Sequence, residues 1–147
     1  MSSATAEVAM NQYYDRYFDR QATKILPGEY YATSEPEVIV TVLGSCVSAC
    51  VRDRVNGIGG MNHFLLPLDG SAEPDKPTQS ARYGSYAMEL LINQVIKLGG
   101  HRERLEAKVF GGAAVLRVML LNDVGKRNAE FVEQYLRNEH IPIVAAD

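Results

Sequence analysis

The chain has 147 residues, 46% of them hydrophobic and 22% charged, which suits one domain with a workable core. Lys and Arg total 15 against 18 for Asp and Glu, a formal net charge of -3, so no broad basic face is expected for nucleic acid. No apolar run approaches the length of a membrane span or a secretory signal, and Cys46 and Cys50 are too few for a disulfide scaffold, so a cytoplasmic protein with reduced thiols is expected.

Residues 1–22 are polar and Tyr-rich with no strand or helix period, and read as a flexible or loosely docked leader ahead of a domain over 23–147. Ile25 to Tyr31, with Pro27-Gly28 inside it, predicts a turn entering an edge strand, because proline cannot donate to a central ladder. Glu37 to Leu43 (EVIVTVL) is a β-branched run expected to form a buried strand, and Gly44-Ser45 turns the chain. Cys46 to Arg52 alternates small or polar residues with apolar ones, and Asn56-Gly57 signals a hairpin into Ile58 to Leu66. Pro67 to Ser80, with three prolines, reads as a surface loop leading to an N-cap at Ser80.

From Ser80 to Leu98 the residues Tyr83, Ala87, Leu90, Leu91 and Val95 recur at helical spacing until Gly99-Gly100 stops the helix. Leu105 to Phe110 predicts a strand ending at Gly111-Gly112. A second helix follows from Gly125 to Glu139, burying Ala129, Val132, Tyr135 and Leu136, and Ile141 to Ala145 closes the chain as a strand. Strands and helices are mixed without strict βαβ alternation, so the expected class is a layered α+β domain.

The chemistry gathers between Val38 and Pro67. A four-residue hairpin loop over 54–57 pairs Asp53 with Ile58, sets Ser48 opposite His63, and leaves Cys46 diagonal to His63 on one sheet face. A two-residue Asn56-Gly57 loop keeps both on that face but farther apart. An imidazole beside a cysteine at a strand start lowers the thiol pKa and favours the thiolate that attacks carbonyl carbon. Thr41, five residues before Cys46, can orient that imidazole, and backbone N–H groups from Gly44 and Ser45 to Cys46 can form an oxyanion site.

Plain packing competes with this reading, since an isolated Cys or His is more often structural than catalytic. Cys50, in mid-strand, reads as a packed residue. A zinc or thiol-redox site would draw on Cys46, Cys50 and His63, but zinc needs a fourth ligand and no CxxC pair is present. His101 and His140 follow helix-stop positions and read as structural.

The run LGSCVSACVRD followed by GIGGMNHFLLP resembles the chemoreceptor glutamine deamidase family CheD, and the likeness continues in ILPGEYY, ARYGSYAMELLINQVIKLGG, AKVFGGA and VGKRNAEFVEQYL. The resemblance implies a layered cysteine-hydrolase fold like that of bacterial toxin deamidases. It implies Cys46 as nucleophile, His63 as general base and Thr41 as the residue orienting the histidine, with no cofactor. The implied substrate is the glutamines of methyl-accepting chemotaxis receptors, converted to glutamate, and a CheC-type phosphatase is the implied further partner. The alternative is a non-catalytic module that docks receptors or that phosphatase. Family members usually continue past the segment resembling IPIVAAD, so an unpaired sheet edge is expected here.

Overall fold

In the computed structural model, residues 7–9, 11–67, 79–112 and 124–147 are described. Along them run strands β1 (Glu7–Val8), β2 (Asn11–Asp15), β3 (Arg20–Lys24), β4 (Glu29–Thr33), β5 (Val38–Val40), β6 (Val47–Asp53), β7 (Ile58–Asn62), β8 (Leu105–Gly111) and β9 (Ile143–Ala146), with helices α1 (Gln79–Lys97) and α2 (Val124–Asn138). One six-stranded sheet has the order β1-β4-β7-β6-β8-β9, and a second of three strands has the order β2-β3-β5. The α+β class is therefore observed.

The central strand β6 shows why the layers form. Its residues Val47, Ala49 and Val51 are fully enclosed and share one core with Ala87, Met88, Leu91, Ile92 and Val95 of α1 and Val132 and Leu136 of α2. Period-2 alternation sends Ser48 and Cys50 to the other face, where Cys50 joins Met61, Ile25 and Ile39 in a smaller cluster beneath the three-stranded sheet. Gly60 is required on the helix side of β7, since a Cβ there would lie 2.8 Å from Leu91.

The hairpin adopts the four-residue loop, with Asp53 paired to Ile58 and Cys50 to Met61. An isolated bridge between Val47 and Phe64 extends the same register, so Ser48 stands opposite His63.

Three sequence expectations change. No strand is legible before Ile25, yet β2 and β3 form an antiparallel hairpin over most of the expected leader. Its turn is closed by Asp15, whose Oδ1 accepts the Phe18 N–H at 3.0 Å, and Asp19 takes a left-handed φ of 53°. β2 is exposed along most of its length, which erases the alternation a sequence would display; its pairing comes from β3, which β5 holds on the other side. Second, Pro27-Gly28 does turn the chain, but β4 is not an edge strand, because β1 pairs with it in parallel. Third, β5 is a half-buried edge strand of the small sheet and not a buried central one. In α2, Asn128 is fully buried while Ala129 and Tyr135 are half-buried. Most of the Pro67 to Ser80 loop lies outside the described residues, and α1 already begins at Gln79, so Ser80 is a helical residue and not its cap.

Candidate active site

His63 leaves the end of β7 with its backbone held on both sides: its N–H donates to Glu29 O at 3.1 Å and its carbonyl accepts the Gly28 N–H at 2.8 Å. Its side chain, 3% exposed, points from the β6 to β7 face toward the small sheet. There Thr41, one residue past β5, meets it with Oγ1 2.7 Å from His63 Nδ1.

The same Thr41 hydroxyl donates to the carbonyl of Ile25 at 2.8 Å. A hydroxyl has one proton and a carbonyl can only accept. Nδ1 must therefore carry the proton and donate to Thr41, which leaves Nε2 with a free lone pair. Nε2 is buried and has no hydrogen-bond partner among the described residues. A neutral imidazole so tethered has the form a general base requires.

Cys46 is half-buried on the bend that opens β6. The Val47 and Phe64 pair exchanges both backbone hydrogen bonds at 3.0 Å, so the next pair outward on each side is of the close, non-hydrogen-bonded kind. Cys46 is the next residue outward, on the bend, and continuing that register past Val47 would set it diagonal to His63 on the same face. The Cys46 carbonyl accepts the Gly112 N–H at 2.8 Å. Gly111, at φ 96°, passes so close that a Cβ would come within 2.3 Å of the same oxygen. The glycine pair at the end of β8 is thus a close backbone approach behind the cysteine.

The electrostatics correct one expectation. Burial pushes the Cys46 thiol above its ordinary pKa, only partly offset by its own backbone N–H, and burial holds His63 below the ordinary imidazole value. Both shifts favour the neutral forms, in the opposite sense to the thiolate near neutrality expected from a neighbouring imidazole. Burial also raises Tyr83 of α1, with the Cys46 charge adding to the effect, which places that phenol within electrostatic reach of the sulfur. Cys50 is pushed up to about 11, chiefly by burial, as suits a packed thiol.

Sequence reasoning missed the supports on α2. Asn128, fully buried, donates from Nδ2 to Ser45 O at 2.9 Å and accepts the Leu66 N–H at Oδ1 at 3.1 Å. Arg127 Nη2 donates to Leu66 O at 2.9 Å and Pro67 O at 3.2 Å. A polar residue at a helix position where the apolar stripe should continue was the available signal. His101 and His140 stand apart from the Thr41 and His63 pair: the His101 N–H donates to Asp53 at 2.9 Å, and His140 has φ 57° after α2.

Comparison with known proteins places the whole chain beside named relatives. The family model described as CheD chemotactic sensory transduction matches residues 65–147. A protein of Thiobacillus denitrificans named probable chemoreceptor glutamine deamidase CheD is 62% identical over 149 residues, covering 100% of this chain and 73% of that protein. One of the same name from Herminiimonas arsenicoxydans is 62% identical over the same shares of both chains. A Shewanella oneidensis protein named probable chemoreceptor glutamine deamidase CheD 1 is 63% identical over 137 residues, 93% of this chain and 66% of its own. The family model begins beyond His63, whereas the first two relatives span Thr41, Cys46 and His63 as well.

Proposed function

Since the chain belongs to the CheD family, we propose that Cys46 and His63 carry out a glutamine deamidase reaction on chemoreceptors, releasing ammonia and leaving glutamate. The observation that carries this reading is the tether of His63: Nδ1 is committed to Thr41, and Nε2 is buried, unpartnered and able to accept a proton.

In this reading Nε2 takes the Cys46 thiol proton as sulfur attacks the γ-carboxamide carbon. The carbonyl π electrons move to oxygen, and backbone N–H groups of the Gly44, Ser45 and Cys46 bend receive the oxyanion. The imidazolium then gives its proton to the amide nitrogen, the C–N bond breaks and ammonia leaves a thioester. Water, deprotonated by the same Nε2, attacks the thioester; glutamate departs and the thiol is restored. Thr41 acts as a positioning residue, because its oxygen stabilises Nδ1–H most when the ring is charged. The reaction needs no metal or cofactor. We place the protein in the cytoplasm, where receptor signalling domains are reached; among the described residues no helix is long and apolar enough to cross a membrane.

The test is incubation with a chemoreceptor cytoplasmic fragment and mass spectrometry of its glutamines. Conversion to glutamate by the parent chain and none by Cys46→Ala or His63→Gln supports the assignment. Full activity in either folded variant refutes it, and receptor binding without conversion by the parent chain favours a docking module, for which a CheC-type phosphatase is the second partner to try.

A further inference from the structure

Among the described residues, the peptide linking Ser45 to Cys46 is held through its carbonyl. Its carbonyl accepts the Asn128 carboxamide N–H at 2.9 Å, and Asn128 is fully enclosed on α2. A trans peptide is planar, with its C=O and N–H pointing in opposite directions. Fixing the Ser45 carbonyl toward α2 therefore aims the Cys46 N–H away from α2. That N–H belongs to the same residue as the sulfur that attacks the carbonyl carbon in the reading above.

The other end of the Asn128 carboxamide accepts the Leu66 N–H at 3.1 Å, three residues after His63, and Arg127 holds the Leu66 carbonyl at 2.9 Å. The next carbonyl along the bend, that of Cys46, is held by Gly112 at 2.8 Å, and Gly112 itself abuts α2, since a Cβ there would lie 2.6 Å from Gly125 O. Ser45 O is thus the acceptor through which a side chain, and not the sheet, sets the orientation of the nucleophile's own amide.

We propose that Asn128 is a positioning residue for the oxyanion site: by holding the Ser45 carbonyl it aims the Cys46 backbone N–H at the oxygen of the reacting carboxamide. The proposal rests on the deamidase reading above and adds to it a named residue outside the Cys, His and Thr group.

The experiment compares two reactions of the same sulfur in parent, Asn128→Ala and Asn128→Asp chains. Deamidation of a receptor fragment builds an oxyanion; alkylation by iodoacetamide displaces iodide from a saturated carbon and builds none. Asn128→Asp keeps side-chain size and the acceptor for the Leu66 N–H but, when ionised, has no proton for Ser45 O. It isolates the proposed bond if the Ala variant fails to fold, with circular dichroism reporting the fold.

We expect kcat for deamidation to fall about 100-fold in both variants, the scale of losing one oxyanion donor. KM and the limiting rate of Cys46 alkylation at high pH should stay as in the parent. Equal losses in alkylation and deamidation mean that Asn128 merely keeps the bend in place and overturn the proposal, as does unchanged kcat. An inactive parent chain whose Cys46 still alkylates overturns the deamidase reading instead, and with it this extension.

Discussion

Replacing Thr41 by Val keeps the branched shape and deletes one oxygen, the oxygen that meets both His63 Nδ1 at 2.7 Å and Ile25 O at 2.8 Å. Two buried groups then lose their partner at once. In the resting protein a neutral hydrogen bond of this kind contributes about 1 kcal/mol, whereas one to a charged group contributes about 1.5–3 kcal/mol. In the reading above the imidazole is neutral at rest and charged after taking the Cys46 proton, so the bond strengthens by about 0.5–2 kcal/mol on the way to the transition state. That difference predicts a fall in kcat of about 2-fold to 30-fold with little change in KM. Thr41→Ser retains the hydroxyl and should keep most of the activity. Initial rates of receptor glutamine conversion, read by mass spectrometry on chains whose fold is verified by circular dichroism, decide it. A folded Thr41→Val that turns over as fast as the parent refutes the argument that Thr41 steers His63.

Alkylation of Cys46 by iodoacetamide should show a midpoint above the ordinary thiol value and outpace Cys50, whose pKa is pushed to about 11, at every pH; a Cys46 midpoint near neutrality in peptide-resolved rates contradicts the neutral resting pair. Because burial lowers the folded-state pKa of His63, the folded chain binds fewer protons than the unfolded chain as pH falls below the ordinary imidazole value of 6.5, so stability is lost on acidification through that window. Urea midpoints measured across it should decline for the parent and less steeply for His63→Gln, and parallel slopes count against a buried neutral imidazole. Gly111→Ala should cost both stability and turnover, since φ 96° strains alanine and its Cβ would overlap the Cys46 carbonyl oxygen at 2.3 Å; an active Gly111→Ala of parental melting temperature means the bend behind Cys46 is not tightly held.

The sequence by itself determined the elements whose signal is local. Helix α1 is legible because its apolar residues recur at 3.6-residue spacing up to Gly99-Gly100, and the β6 to β7 hairpin because Asn56-Gly57 interrupts two alternating runs. The placing of His63 opposite Ser48, two positions from Cys46, was legible because all three lie along that one hairpin, where strand periodicity dictates which side chains share a face. Tertiary structure decided the rest. The β2 to β3 hairpin lacks a period of its own and exists because β5 pairs with it, and Thr41 reaches His63 because that second sheet lies over the face β6 and β7 present. Asn128 reaches Ser45 across 83 positions of chain because α2 lies against the end of β6. Burial, likewise absent from any local pattern, pushes the Cys46 thiol up and His63 down, both toward the neutral forms, where adjacency alone predicts an ion pair. Desolvation depends on every layer packed around a group, and no stretch of sequence contains those layers.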